Sequence, residues 1–132
     1  MKTFSKLITA TLLILLMSRG LFAQSVNKAD AVLGIFQSPE GDRKIEIYKD
    51  NDQYVGKLVA ITAANGKAKV GTVVLKGFTF SKGTWQGKVY LPARNSEYPA
   101  TLTLPDAATL TIKVKAGFLS QSKNWARVKP LY

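Results

Sequence analysis

Apolar and polar positions alternate along most of the chain after residue 30. The clearest case is residues 109–115, where Leu110, Ile112 and Val114 share one face and polar residues alternate with them. Such alternation is typical of antiparallel β-strands that cover a core on one side. With turn residues as boundaries, it predicts eight strands, over residues 31–37, 43–49, 53–62, 71–80, 84–91, 97–104, 109–115 and 123–129.

The segments between these strands carry residues that favour tight turns. Pro39 and Gly41 lie in the first, Asn51 lies in the second, and Asn65-Gly66 suits a two-residue hairpin turn. No segment after residue 24 shows a helical period. Eight sequential strands with short connections predict an all-β, antiparallel up-and-down barrel, with a two-sheet sandwich as the alternative. An eight-stranded barrel has an interior that side chains fill or that holds one small ligand.

The first 23 residues have the organisation of a signal peptide. Lys2 and Lys6 precede an apolar run of 11 residues, 7–17, which is shorter than the roughly 20 residues that a membrane-spanning helix needs. A small residue, Ala23, then precedes Gln24. We therefore expect a signal peptide over 1–23, cleaved near Ala23, a single barrel domain over 24–132, and a periplasmic or secreted location.

Composition narrows the chemistry that the protein can perform. The 132 residues include no His and no Cys, which excludes imidazole bases, thiol nucleophiles, disulfides and Cys-ligated zinc. Only 8 residues are Asp or Glu, and several of them lie in predicted turns. We expect a non-catalytic protein with no metal site and no cofactor.

The chain is strongly basic, with 19 Lys and Arg residues and a net charge of +11. Loss of residues 1–23 would remove three of these cations and leave +8. The cations are spread along the chain rather than gathered in one basic run. An exported protein of this charge has anionic envelope lipids or polymers as candidate partners, and no nucleic acid is expected.

One polar cluster is predicted on the second and third strands. Glu46 and Tyr48 share a face, and Lys57 lies opposite them if these strands form a hairpin. The three side chains could form a polar site. The alternative is an ordinary cross-strand ion pair, which contributes roughly 0.2–1 kcal/mol.

Seven segments, in the same order, resemble one bacterial family, the domain of unknown function 2147. They are residues 31–36 (AVLGIF), 44–49 (KIEIYK), 54–59 (YVGKLV), 75–78 (LKGF), 85–92 (WQGKVYLP), 98–102 (YPATL) and 125–128 (WARV). Two departures are visible. Phe36 stands where the family has Trp, and the loop over residues 62–70 lacks a polar insert that members usually carry.

The resemblance implies an exported bacterial protein with a small lipocalin-like barrel. It also implies that an Arg of the last strand lies across an aromatic residue of the first and closes the barrel. In this chain those residues are Phe36 and Arg127, with Gly34 and Trp125 beside them.

These observations are consistent with three functions. The first two differ in whether the interior of the barrel is empty or filled by side chains. The leading hypothesis is binding of an apolar or amphipathic small molecule by Tyr48, Tyr98, Leu102 and Ile112, of which the last three lie on the apolar faces of their strands. The alternative is a filled barrel whose basic surface docks on anionic lipid or polymer. An enzyme is the third. A void of about 300 Å³ or more favours a ligand.

Overall fold

The structure is a computed structural model that describes residues 28–62 and 68–128. The predicted signal peptide, the predicted Asn65-Gly66 turn and the predicted end of the last strand at Lys129 lie outside the described residues. Within the described ranges, no helix has the length and apolar character that crossing a bilayer requires.

One short 3-10 helix, Lys28–Val32, precedes the strands. The eight strands are β1 Gly34–Gln37, β2 Arg43–Asp50, β3 Gln53–Ile61, β4 Val73–Ser81, β5 Thr84–Leu91, β6 Ser96–Asp106, β7 Thr109–Ala116 and β8 Leu119–Arg127. Each strand pairs antiparallel with its neighbour in the sequence, and β1 pairs with β8. The predicted up-and-down barrel is therefore confirmed, and the sandwich alternative is wrong.

Several predicted strand boundaries differ from the structure by one or two residues, and two are wrong by three or four. The first strand was predicted from residue 31, but Val32 belongs to the 3-10 helix and β1 begins at Gly34. Gly34 has a φ of +143°, a conformation that other residues rarely adopt, and it separates the helix from the strand. The last strand was predicted from residue 123 and begins at Leu119, four residues earlier. Its first six residues are exposed, so no alternation of burial marks its start.

The 3-10 helix closes one end of the barrel, because side chains from three strands hold it there. The Trp85 indole N–H donates to the carbonyl oxygen of Ala29 at 3.0 Å. The Tyr54 hydroxyl donates to Asp30 at 2.5 Å, and the Arg127 guanidinium donates to the carbonyl of Ala31 at 2.7 Å. Side chains of β3, β5 and β8 therefore hold the helix in place.

Next to this helix the barrel interior is filled. Phe36, Phe78, Leu102 and Leu110 are all at most 1% exposed. Phe78 packs so closely over Gly87 of β5 that a β-carbon there would lie 2.7 Å from its ring. Large side chains from several strands therefore pack together in this half of the barrel.

Candidate functional site

A cavity of about 530 Å³ opens at the end of the barrel opposite the 3-10 helix. Its rim includes residues from the start of β2, the end of β5, the end of β7 and the start of β8. In an up-and-down barrel these strand ends lie together, at the end away from the start of β1. The barrel is therefore closed at one end and hollow at the other.

The deep wall of the cavity is apolar. Its buried side chains come from six strands and are Ile45, Leu58, Val74, Leu75, Val89, Ile112 and Trp125. Each of these side chains is at most 8% exposed. A void of this size with an apolar wall matches the range of roughly 300–1,000 Å³ that small-molecule sites occupy.

The rim of the cavity is cationic. Arg43, Arg94 and Lys123 are among the lining residues, and no Asp or Glu is. The exposed apolar side chain of Leu119 also lies at the rim, next to Phe118, which is 97% exposed at the tip of the β7–β8 turn. An apolar interior thus meets solvent through a positively charged opening.

The side chain of Arg43 has one N–H group without a hydrogen-bond partner among the described residues. Its Nε is shielded from solvent and has no hydrogen-bond partner among the residues that the structure describes. The nearest carboxylate oxygen, Oδ1 of Asp42, lies 3.6 Å away and already accepts a 2.8 Å hydrogen bond from the Ser38 hydroxyl. That hydrogen bond, with a smaller effect of Arg43, holds the pKa of Asp42 below its usual range.

The other two rim cations differ from each other. Lys123 Nζ lies 3.0 Å from Glu40, and its hydrogen bond holds the pKa of Glu40 below the usual range. Arg94, in the β5–β6 turn, makes no ion pair with any residue in the described ranges. The positive charge of Arg94 is therefore the least compensated of the three.

The shortness of β1 brings Arg43 and Lys123 to the same part of the rim. β1 pairs with β8 only through Phe36 and Gln37, so the first half of β8 extends past its end. The β1–β2 turn fills the space there, and it contacts both cations. Its Glu40 binds Lys123, and its Ser38 Oγ accepts from the backbone N–H of Arg43 at 3.1 Å.

The four predicted ligand-binding residues lie in three different places. Tyr98 and Ile112 line the cavity. Leu102 is buried in the filled half of the barrel and does not line it. Tyr48 is also absent from the lining. It lies on the face of β2 opposite the buried Ile45 and Ile47, because side chains alternate along a strand.

The predicted polar cluster lies on the outside of the barrel. Lys57 Nζ is 3.9 Å from Glu46 and 5.2 Å from the centre of the Tyr48 ring. The side chains of Lys57 and Glu46 are each 42% exposed. An exposed pair at this distance is an ordinary cross-strand contact that contributes little to stability, and we assign it no binding role.

The four predicted closure residues lie in two different places. Arg127 lies 4.6 Å from the centre of the Phe36 ring, and its Nη1 lies against Gly34, where a β-carbon would be only 2.7 Å away. These three residues meet at the junction of β1 and β8. Trp125 lies on β8 too, but its side chain lines the cavity.

Sequence reasoning missed Arg43, Arg94 and Lys123 as site residues. The alternation contained a signal for two of them: Arg43 is in phase with Ile45 and Ile47, and Lys123 with Trp125. A cation on an inward-facing strand position is unusual and marks the end of a core. Arg94 lies in a turn, where no periodicity applies.

The site offers no arrangement for binding a metal ion. No group of three potential ligands (His, Cys, Asp or Glu) lies close together within residues 28–62 and 68–128. The polar groups at the cavity are instead hydrogen-bond donors and hydroxyl or amide groups, including Ser120 and Gln121. Such an arrangement can orient a polar head group above an apolar interior.

Comparison with known proteins places the chain in a family. The family model described as "Uncharacterized protein conserved in bacteria (DUF2147)" matches residues 34–127, which run from the start of β1 to the end of β8. The match covers the whole barrel without the 3-10 helix. No curated protein and no solved structure matches the chain.

Proposed function

The chain belongs to this bacterial DUF2147 family, and we propose that it binds an apolar or amphipathic small molecule in the cavity of its barrel, without catalysing a reaction. The observation that carries the proposal is the 530 Å³ cavity with its apolar wall. Large side chains fill the barrel next to the 3-10 helix, whereas this cavity occupies the interior at the opposite end. That division favours ligand binding over a purely structural barrel.

The residues around the cavity support binding rather than catalysis. General acid–base and nucleophilic catalysis mostly use His, Cys or paired carboxylates, and no Asp or Glu lines the cavity of this chain, which contains no His or Cys. Apolar burial is the main interaction that this wall can offer a ligand.

Titration with N-phenyl-1-naphthylamine, a neutral fluorescent probe of apolar sites, tests the proposal. We expect saturable binding to the full chain with a stoichiometry near one. Val114→Trp places an indole in the cavity, because Val114 lines it. This variant should weaken probe binding by about tenfold or more, since each 1.4 kcal/mol of lost binding free energy is a factor of ten.

A matched control separates loss of the cavity from a general effect of adding Trp. Gln86 is exposed on β5 and does not line the cavity. Gln86→Trp should therefore bind the probe like the natural sequence. Absence of saturable binding to the natural sequence, or equal loss in both variants, would refute cavity binding.

Docking of the basic surface on an anionic envelope surface is the second candidate function. The observation in its favour is the exposed Phe118 and Leu119, 97% and 68% exposed, on a chain of high positive charge. Co-sedimentation with phosphatidylglycerol vesicles tests it. Docking by charge should weaken steeply with salt, as the Debye length falls from about 30 Å at 0.01 M to about 3 Å at 1 M, whereas binding of the neutral probe should change little.

A further inference from the structure

The cations at the rim of the cavity indicate which charge a ligand would carry. We propose that the site takes a single-chain amphiphile with an anionic head group, whose chain enters the apolar interior and whose head group lies between Arg43, Arg94 and Lys123. This inference rests on the proposed function, because a head-group site requires that the chain be bound. A long-chain carboxylic acid is the simplest molecule of this class.

The distribution of charge at the cavity carries the argument. Among residues 28–62 and 68–128, three cations and no carboxylate belong to its lining. Here Arg43 is in phase with the buried Ile45 and Ile47, so it faces the interior at the point where the apolar wall ends.

The chemistry of the cations fits a carboxylate or a phosphate. A guanidinium presents paired N–H donors in a planar fork that matches such head groups. The side chain of Arg43 is 35% exposed, although its Nε is shielded from solvent, and Arg94 has no ion pair among the described residues. An anion at the rim would supply Arg94 with an ion-pair partner that the described residues do not provide.

Two carboxylates beside the rim oppose this preference: Asp42, whose Oδ1 lies 3.6 Å from Nε of Arg43, and Glu40. Glu40 holds Lys123 at 3.0 Å, so Lys123 offers a bound anion less than the two arginines do. Both side chains of this pair are about half exposed, at 43% and 50%, and exposed pairs of this kind are weak. We therefore expect the arginines to dominate head-group recognition, and Glu40→Gln to strengthen it by freeing Lys123.

Isothermal titration of the full chain with three ligands of equal chain length tests the inference. The ligands are dodecanoate, dodecan-1-ol and dodecyltrimethylammonium, each below its aggregation limit. We expect dodecanoate to bind about tenfold more tightly than the alcohol, and the ammonium to bind most weakly. Arg43→Gln and Arg94→Gln should each lower dodecanoate affinity severalfold and leave the affinity for the alcohol unchanged.

Lys113→Gln is the matched control. Lys113 is exposed on β7 and does not line the cavity, so this variant removes one positive charge away from the site. Equal affinity for dodecanoate and dodecan-1-ol would overturn the head-group inference while leaving cavity binding intact, as would equal effects of Lys113→Gln and Arg94→Gln. Absence of binding by all three ligands would instead overturn the proposed function. Arg94 lies in an exposed turn, so its variant tests the idea even if Arg43→Gln does not fold.

Discussion

The Arg127 guanidinium lies 4.6 Å from the ring centre of Phe36 and at the same time donates hydrogen bonds to three backbone carbonyl groups. Two of these carbonyls, of Ala31 and Leu33, belong to the segment that closes the barrel, and the third, of Ala107, belongs to the β6–β7 turn. One side chain of the last strand thus holds together the first strand, the closing helix and a distant turn. Cation–π contacts of this kind contribute roughly 0.5–2 kcal/mol.

Arg127→Ala should therefore destabilise the protein by about 1–3 kcal/mol, because the variant loses the packing on Phe36 and leaves carbonyl groups without donors. Lys113→Ala is the control, since Lys113 is exposed and makes no ion pair among the described residues. Chemical denaturation measures both free energies of unfolding. Equal stabilities of the two variants would contradict this role of Arg127.

Gly87→Ala should also destabilise the barrel by about 1–3 kcal/mol, the usual cost of overpacking a core. A β-carbon at this position would lie 2.7 Å from the carbonyl oxygen of Lys76 and 2.7 Å from the ring of Phe78. The carbonyl oxygen is backbone and cannot move aside alone. Thermal denaturation compares this variant with Gln86→Ala on the exposed face of the same strand. A stable Gly87→Ala protein would show that β4 and β5 can separate at little cost.

Tyr54 should ionise at a higher pH than an ordinary tyrosine side chain. Burial, assisted by the hydrogen bond to Asp30, raises its pKa from the ordinary 10.0 to about 12. Since the folded-state pKa is raised, this group adds stability that is fully present below pH 10 and is lost as the pH rises toward 12. The difference in tyrosinate absorbance between the natural sequence and Tyr54→Phe isolates its titration, with circular dichroism reporting whether the protein stays folded.

Asp30→Asn provides the control for this titration. The Tyr54 hydroxyl donates to Asp30, and the same hydrogen bond, more than the nearby Lys49, holds the pKa of Asp30 below its usual range. Removal of the negative charge should lower the pKa of Tyr54 without returning it to 10, because burial is the larger cause. A midpoint near 10 in the folded natural sequence would contradict the buried, hydrogen-bonded arrangement.

We expect the mature protein to begin at or near Gln24. The apolar run over residues 7–17 follows two lysines and ends shortly before Ala23, as in secretory signal peptides. Mass measurement of protein purified from a bacterial cell envelope checks this, with the cytoplasmic fraction as the comparison. A full-length species integrated in the membrane would contradict export.

The sequence by itself determined the class of fold, because alternation and turn chemistry are local properties. Leu110, Ile112 and Val114 alternate with polar residues, and β7 runs over Thr109–Ala116 as the alternation predicts. The 3-10 helix Lys28–Val32 was not predicted, because a helix of one or two turns is too short to show a helical period. What holds it is a set of contacts with residues far away in the sequence, such as the hydrogen bond from Trp85 to Ala29.

Only the tertiary structure decided whether the barrel is filled or hollow. That outcome depends on how side chains from eight strands meet in space. Phe78 packs over Gly87 and fills one half, whereas Tyr98 and Ile112 border open space in the other. The register between strands, including the bulge at Ile45 and the early end of β1, then brought Arg43 to the rim beside the turn that also holds Lys123. Those relationships join residues up to 83 positions apart along the chain, as Glu40 and Lys123 are, and no local pattern contains them.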